Sequence, residues 1–384
     1  MSSPYNQEQP KKQELYMNCK IADTIIRPIA IAGLALCIMC EAAIGGNIVQ
    51  TNLVSDVPGL AASTDPNLAN PWGVSFSAAS PFWVSDEAAN VTTLYQGTGA
   101  IVAKVVTVPG GPTGQVFNSP GAGNFLVGGT PASFIFDTLG GAVYAWNNGA
   151  GSAAALEATT TGASFTGLAL DNNGTGNFLY AANNAGVGDI DVFNSTFGSA
   201  TLSGSFTDPN LPAGYVPYNI QNISGDLYVT YENPSSARTL GSGIVSVFDA
   251  NGNFINELIG PGGQLESPWG ITLAPTGFFD FSDDLLVGNF GNGEINAFNP
   301  ATGAFLGTLT DSNGDPIVNQ DLWALEVDPG SSNPNAVYFT AGIDHQTEGL
   351  FGELTSATPE PGSIILGGLG CVAFGLAYRR RQRA

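Results

Sequence analysis

Apolar and polar residues alternate in short runs along most of this 384-residue chain, and one signature recurs six times. It reads Pro71-Trp72-Gly73-Val74-Ser75-Phe76, Pro112-Thr113-Gly114-Gln115-Val116-Phe117 and Phe165-Thr166-Gly167-Leu168-Ala169-Leu170. It continues as Pro217-Tyr218-Asn219-Ile220, Pro268-Trp269-Gly270-Ile271-Thr272-Leu273 and Leu322-Trp323-Ala324-Leu325-Glu326-Val327. The third position falls at 73, 114, 167, 219, 270 and 324, giving spacings of 41, 53, 52, 51 and 54 residues. A second alternating run follows each signature, as in Phe82-Trp83-Val84-Ser85 and Val337-Tyr338-Phe339-Thr340. Third runs follow at Gly141–Trp146, Ile190–Phe193, Ile244–Asp249 and Ile295–Phe298, and fourth runs at Phe254–Ile259 and Phe305–Leu309. Period-two alternation, β-branched residues and Asn-Gly turns predict strands.

Four strands repeated about every 50 residues are the signature of propeller blades. The chain is therefore expected to be all-β, a six-bladed β-propeller over residues 43–356. Its last repeat runs out of sequence at Leu350–Leu354, while Ile48–Ser55 precedes the first signature and has no blade of its own. That N-terminal strand is expected to supply the missing outer strand of the last blade.

The two ends break this pattern. Residues 1–28 are polar and basic, and Ile29–Cys40 is an uninterrupted apolar run. Its length suits the core of a signal peptide and falls short of a membrane-spanning helix. Residues 1–42 are expected to be a signal peptide cleaved after Ala42, with an uncleaved anchor as the alternative. At the other end Pro359, Glu360 and Pro361 precede an uncharged stretch, Ser363–Tyr378, and the basic cluster Arg379, Arg380, Arg381 and Arg383. The prolines break regular structure, the apolar stretch is a transmembrane helix candidate, and the arginines favour the cytoplasmic side.

In that order and at that place, residues 357–384 resemble a PEP-CTERM sorting signal. The resemblance implies export through the Sec machinery and recognition by an exosortase, a membrane peptidase acting near the Pro-Glu-Pro motif. It also implies transient anchoring in the inner membrane, a final location at the cell surface or outside it, and a Gram-negative bacterium with an exopolysaccharide or biofilm system.

Charge narrows the functions open to the middle of the chain. Between the two ends lie only Lys104 and Arg238 against 27 acidic residues, a formal balance of 2 − 27 = −25. Such a surface repels phosphate backbones and excludes nucleic acid as a partner. All four cysteines, Cys19, Cys37, Cys40 and Cys371, lie in the terminal segments, so neither disulfides nor thiol chemistry is expected in the propeller.

The Pro-x-Gly opening followed by a Tyr-Val-rich strand resembles NHL-type and lactonase-like propellers. Asn70-Pro71-Trp72-Gly73, Gly204–Tyr215 and Leu286–Gly293 further resemble an uncharacterised bacterial propeller family whose members often carry the PEP-CTERM tail. Lactonase-like propellers hold calcium on the axis, which here would fall to oxygen ligands in the second-to-third strand turns: Asp86, Glu87, Asn183, Glu232, Asn289 and Glu294. Asp65, Asp208, Glu266 and Asp321 stand in the loops that lead into the inner strands. Asn and Asp also fill turns for conformational reasons alone. The lone histidine, His345 beside Asp344, is a conceivable general base. Trp72, Trp269 and Trp323 could present a sugar-stacking platform, although their place in the signature favours packing between blades. Two functions remain: a non-enzymatic binding or structural protein of the exopolysaccharide matrix, or a calcium-dependent lactonase-like hydrolase.

Overall fold

The computed structural model describes residues 48–119, 124–328, 330–331 and 333–357. The expected signal peptide and the expected transmembrane sorting helix lie outside these residues. No helix among the described residues is long and apolar enough to cross a membrane.

Six antiparallel sheets form the blades, each beginning with the strand that contains the signature. Blade 1 comprises Pro71–Ser75, Phe82–Asp86, Val91–Tyr95 and Ile101–Thr107, from the inside outward. Blade 2 comprises Pro112–Phe117, Phe134–Thr138, Ala142–Trp146 and Ala155–Thr159. Blades 4 and 5 start at Val216–Ile223 and Pro268–Leu273 and also have four strands each. In blade 6, Leu322–Glu326, Val337–Ala341 and Leu350–Ser356 are completed by Ile48–Ser55 on the outside.

That last pairing closes the ring as the sequence predicts. Ile48–Ser55 runs antiparallel to Leu350–Ser356, from Ile48 opposite Ser356 to Ser55 opposite Leu350. Leu53 and Val54 insert into a buried cluster with Phe82, Tyr95, Tyr338 and Phe351, which joins blade 6 to blade 1. Ser55 Oγ donates to Gly349 O at 2.7 Å, and Asp56 Oδ1 accepts from Gly349 N at 2.8 Å. Ser63–Thr64 adds a short parallel strand beyond Ile48–Ser55.

Blade 3 departs from the four-strand expectation. Among the described residues it has three strands, Phe165–Asn172, Asn177–Asn183 and Asp189–Asn194. Where a fourth would start, the chain turns tightly, with Asn194 N donating to Gly198 O at 2.8 Å and Asn194 Oδ1 holding the Thr196 amide. Phe197, in a left-handed conformation, is driven into the core against Phe125. The chain then crosses to blade 4, where Phe206 wedges against Tyr180 and Phe248. The segment buries isolated aromatics instead of alternating apolar residues, so it forms no outer strand.

Each innermost pairing slips in register at the signature. The cause is crowding of inner strands around the axis. A Cβ on Gly73 would lie 2.5 Å from Thr113 O, and one on Gly114 would lie 2.2 Å from Leu168 N. Only a residue without a side chain permits that approach. The resulting bulges are braced from the second strand. Asp137 Oδ1 accepts from Gly114 N at 2.6 Å and lies 2.8 Å from Thr113 Oγ1. Thr340 Oγ1 accepts from Ala324 N at 3.0 Å and donates to Trp72 O at 2.5 Å, tying blade 6 to blade 1.

Because the ring is complete at Ser356, deleting residues 358–384 is expected to leave the melting temperature unchanged. Deleting residues 48–55 is expected to lower it by about 10 °C or more, through loss of a buried closing strand. Calorimetry of the two truncations checks both, and a tail-less chain that fails to fold would overturn the first.

Candidate functional site

The second signature residues of four inner strands, Trp72, Tyr218, Trp269 and Trp323, meet at the axis. Trp72 stacks on Trp323 with centroids 3.5 Å apart, and Trp269 stands edge-on to both at 6.1 and 5.8 Å. Tyr218 and Phe290 complete the group against Trp323 at 6.0 and 4.3 Å. The Trp72–Trp269 and Tyr218–Trp323 contacts join blades that are not neighbours, as does the bond from Trp269 Nε1 to Thr166 O at 2.8 Å. The three tryptophans are only 4, 4 and 1% exposed. They form a solid aromatic core across the axis and offer no face for a sugar.

Above this stack, on the leading face where inner strands begin, Arg238 caps the axis. Its guanidinium pairs with the buried carboxylate of Asp321, donates to Gly291 O at 3.2 Å and lies 4.5 Å over the Phe290 ring. Glu232 and Glu266 also feel this cation. Burial raises both carboxyls above their ordinary values, and Arg238 offsets part of the shift. Asn70, Ser267 and Asp321, each just ahead of an inner strand, hold left-handed backbones here. Asn70 Oδ1 accepts from Trp323 Nε1 at 3.0 Å, fixing the indole in the stack.

Five of the six residues expected to ligate calcium are hydrogen-bonded to neighbouring groups. Asp86 is fully buried beside Thr93, its carboxyl pushed well up by burial, with Asp65 and Asp56 adding to the shift. Glu87 Oε2 accepts from Asn70 Nδ2 at 2.8 Å. Asn183 Oδ1 accepts from the amides of Ser164 and Ala185, both at 3.1 Å. Glu232 Oε1 accepts from Asn184 Nδ2 at 3.2 Å. Asn289 Oδ1 accepts from Glu266 N at 3.0 Å, and Glu294 Oε2 accepts from Asn292 Nδ2 at 3.0 Å. Apart from Asp86, each bonds to the loops of the leading face. Among the described residues no three His, Cys, Asp or Glu side chains form a group that could hold a metal ion. His345 lies exposed on a turn, 3.5 Å from Gln320 Nε2.

Two acidic loop residues belong to a repeat that the signature alone does not reveal. Thr64-Asp65-Pro66-Asn67-Leu68 recurs as Thr207-Asp208-Pro209-Asn210-Leu211. In both, the aspartate caps its own turn at Asn67 N or Asn210 N and bonds the third strand of the next blade, at Tyr95 or Ser246. Their role is to brace the loops.

The open end of the axis is the trailing face, where inner strands finish. Below the aromatic stack the channel narrows to a space of about 10 Å³, then widens into a cavity of about 210 Å³. Gln221 of blade 4 and Glu326 of blade 6 reach across it, Gln221 Nε2 donating to Glu326 Oε1 at 3.0 Å. Gln115 Nε2 donates to Gly73 O and Trp83 O at 2.7 and 2.8 Å, and Asn222 Nδ2 to Leu170 O at 3.0 Å. Phe76, Phe117 and Leu170 form half-buried walls. Burial pushes the Glu326 carboxyl up to about 8, with the Gln221 bond opposing and Asp328 adding. No sequence motif marks this site. Its two polar groups come from different repeats, at a signature position where the other blades carry Ser75, Val116, Ala169 and Thr272.

The molecule is thus a closed six-bladed propeller followed directly by a sorting tail, and residues 357–381 match the PEP-CTERM protein-sorting motif. Uncharacterized protein R648 of Acanthamoeba polyphaga mimivirus is 32% identical over 327 residues, 79% of this chain and 78% of its own length. Uncharacterized protein L690 of the same virus is 30% identical over 325 residues, covering 79% of this chain and 84% of that protein. The chain belongs to the family these proteins represent. Among solved structures it is similar to a calcium-binding protein, regucalcin, from Agrobacterium tumefaciens at 13% identity and a TM-score of 0.48, covering 76% of this chain and 92% of that one. It is also similar to a streptogramin B lyase at 12% identity and a TM-score of 0.44, covering 81% and 97%.

Two outcomes follow from the axis. Trp323→Ala removes the centre of the aromatic stack and is expected to cost about 3–5 kcal/mol of stability in a denaturant titration. Glu326, raised in the folded state, favours folding of the protonated form. That contribution is complete below its ordinary value of 4.5 and lost as pH rises through about 8. Asp137, at about 7 through burial, acts in the same direction. The melting temperature is therefore expected to fall across this interval, and Glu326→Gln to flatten part of the decline. An unchanged slope would rule out the assignment to Glu326.

Proposed function

We propose that this chain is an exported propeller, cut from its sorting tail by an exosortase-type peptidase, that serves at the cell surface or beyond as a binding or structural protein of an exopolysaccharide matrix. The observation that carries this reading is the junction itself. The ring is sealed by Leu350–Ser356, and the PEP-CTERM motif begins at residue 357, so the tail is removable without loss of a blade. The motif implies exosortase recognition and passage through a membrane-anchored stage.

The filled axis favours binding over hydrolysis. A calcium-dependent hydrolase needs an ion and an ester carbonyl side by side in a shielded pocket. Aromatic side chains and the Arg238–Asp321 pair occupy that place here. On the other face of the axis a small, partly polar cavity stays open.

Replacing Pro359, Glu360 and Pro361 together by alanine is expected to trap the chain in the membrane fraction, while the unmodified chain reaches the surface or medium. Fractionation and immunoblotting in an exosortase-bearing host read this directly. The released propeller is further expected to co-sediment with purified exopolysaccharide. Release of both forms alike, or no association with the matrix, would overturn the reading.

A further inference from the structure

We propose that the trailing cavity is a glycan subsite that takes one uncharged, polyhydroxylated ring, such as a neutral hexose unit of a matrix polysaccharide. This rests on the binding reading above and adds the site and the chemical class of the ligand.

The cavity combines a few converging polar groups with apolar walls, as ligand sites do. At about 210 Å³ it is smaller than the roughly 300–1,000 Å³ of pockets that enclose drug-sized molecules, so it admits a single ring and leaves the rest of a chain outside. Gln115 and Asn222 are committed to main-chain carbonyls and shape the floor. Gln221 and Glu326 are engaged with each other through the bond from Nε2 to Oε1, which leaves the amide oxygen of Gln221 and the second carboxyl oxygen of Glu326 for a ligand. An amide offers donors and acceptors together, and a carboxylic acid offers one of each. That set matches vicinal hydroxyls, which also donate and accept.

Charge selects within the class of glycans. The propeller carries 2 − 27 = −25 formal charges, and Lys104 and Arg238, its two basic residues, do not line this cavity. Arg238 is held on the other face by Asp321 and Phe290. A uronate or sulfated sugar would meet the acidic propeller surface, Asp328 included, with no counter-charge. The raised Glu326 carboxyl, neutral through most of the range below about 8, is suited to hydroxyl groups and poorly suited to a cation. Phe76 and Phe117 stand at the rim, where one face of a sugar ring, lined by C–H groups, can lie against them.

The test is isothermal titration of the detergent-solubilised full chain with laminarihexaose, cellohexaose, mannohexaose and oligogalacturonate. At least one neutral hexasaccharide is expected to bind. Gln221→Leu and Glu326→Leu are expected to weaken it by about tenfold or more, roughly 1.4 kcal/mol. Glu326→Gln, which keeps shape and hydrogen bonding, retains it. Gln221→Glu changes no volume yet sets two carboxyls together, and weakens binding even if the leucine variants unfold. Neutral-sugar binding that all four substitutions leave intact places the site elsewhere and overturns this inference while sparing the matrix-binding function. Binding of oligogalacturonate alone overturns the ligand class. Failure to bind any of the four probes overturns the inference, and the loss of co-sedimentation with whole exopolysaccharide would separately end the function it rests on.

Discussion

The constraint on which the structure depends is the close approach of six inner strands around one axis. Blades taper inward, so the innermost strands have the least room, and side chains at the narrowest level must shrink or leave. Gly73, Gly114, Gly167 and Gly270 answer that requirement, each with a neighbouring blade inside the distance a Cβ would need. The register slips there. Four of the six preceding residues are Trp or Tyr, so the axis fills with rings where many propellers have a channel. Packing of that density is the main source of cohesion between blades that do not otherwise touch.

Filling the middle of the axis separates its two ends. On the leading face the axis is capped by Arg238 and Asp321, and loop side chains there are bonded to backbone amides or to each other. On the trailing face Gln221 and Glu326 meet across a cavity and retain unused hydrogen-bonding capacity. The difference comes from what the repeat leaves free to vary. Leading-face loops differ from blade to blade, from the four residues 108–111 to the thirteen residues 309–321, and Asn and Asp are recruited to hold them. Trailing-face positions lie on the strands themselves, whose backbone groups the sheet already satisfies, so their side chains need not support a loop.

Much of the fold was legible because its physics is local and periodic. Alternation at period two, signature spacing near 50 residues and the unpaired Ile48–Ser55 all point to the same closed ring. Blade 3 was the exception, because Phe197, buried, and Phe206, half-buried, pack singly from turns and period-two reading cannot anticipate that. The site was less legible. Asp86, Glu87, Asn183, Glu232, Asn289 and Glu294 all carry oxygen donors at the same kind of turn, but a ligand set depends further on side-chain direction and on what already occupies the axis, which residue type does not show. The Gln221–Glu326 contact joins residues 105 apart in unlike repeats, and neither residue is unusual in its own segment.

The closing strand has a consequence for the order of events. Ile48–Ser55 is near the start of the chain, and its partner, Leu350–Ser356, is completed only by the last residues before the tail. In a chain threaded through a membrane N-terminus first, the earliest segment to emerge waits, unpaired, for the latest. Such long-range contacts form slowly and leave strand edges exposed until they do. A membrane-anchored tail would keep the chain tethered during that interval, so detachment after closure would release a finished ring, whereas detachment before it would release an open one.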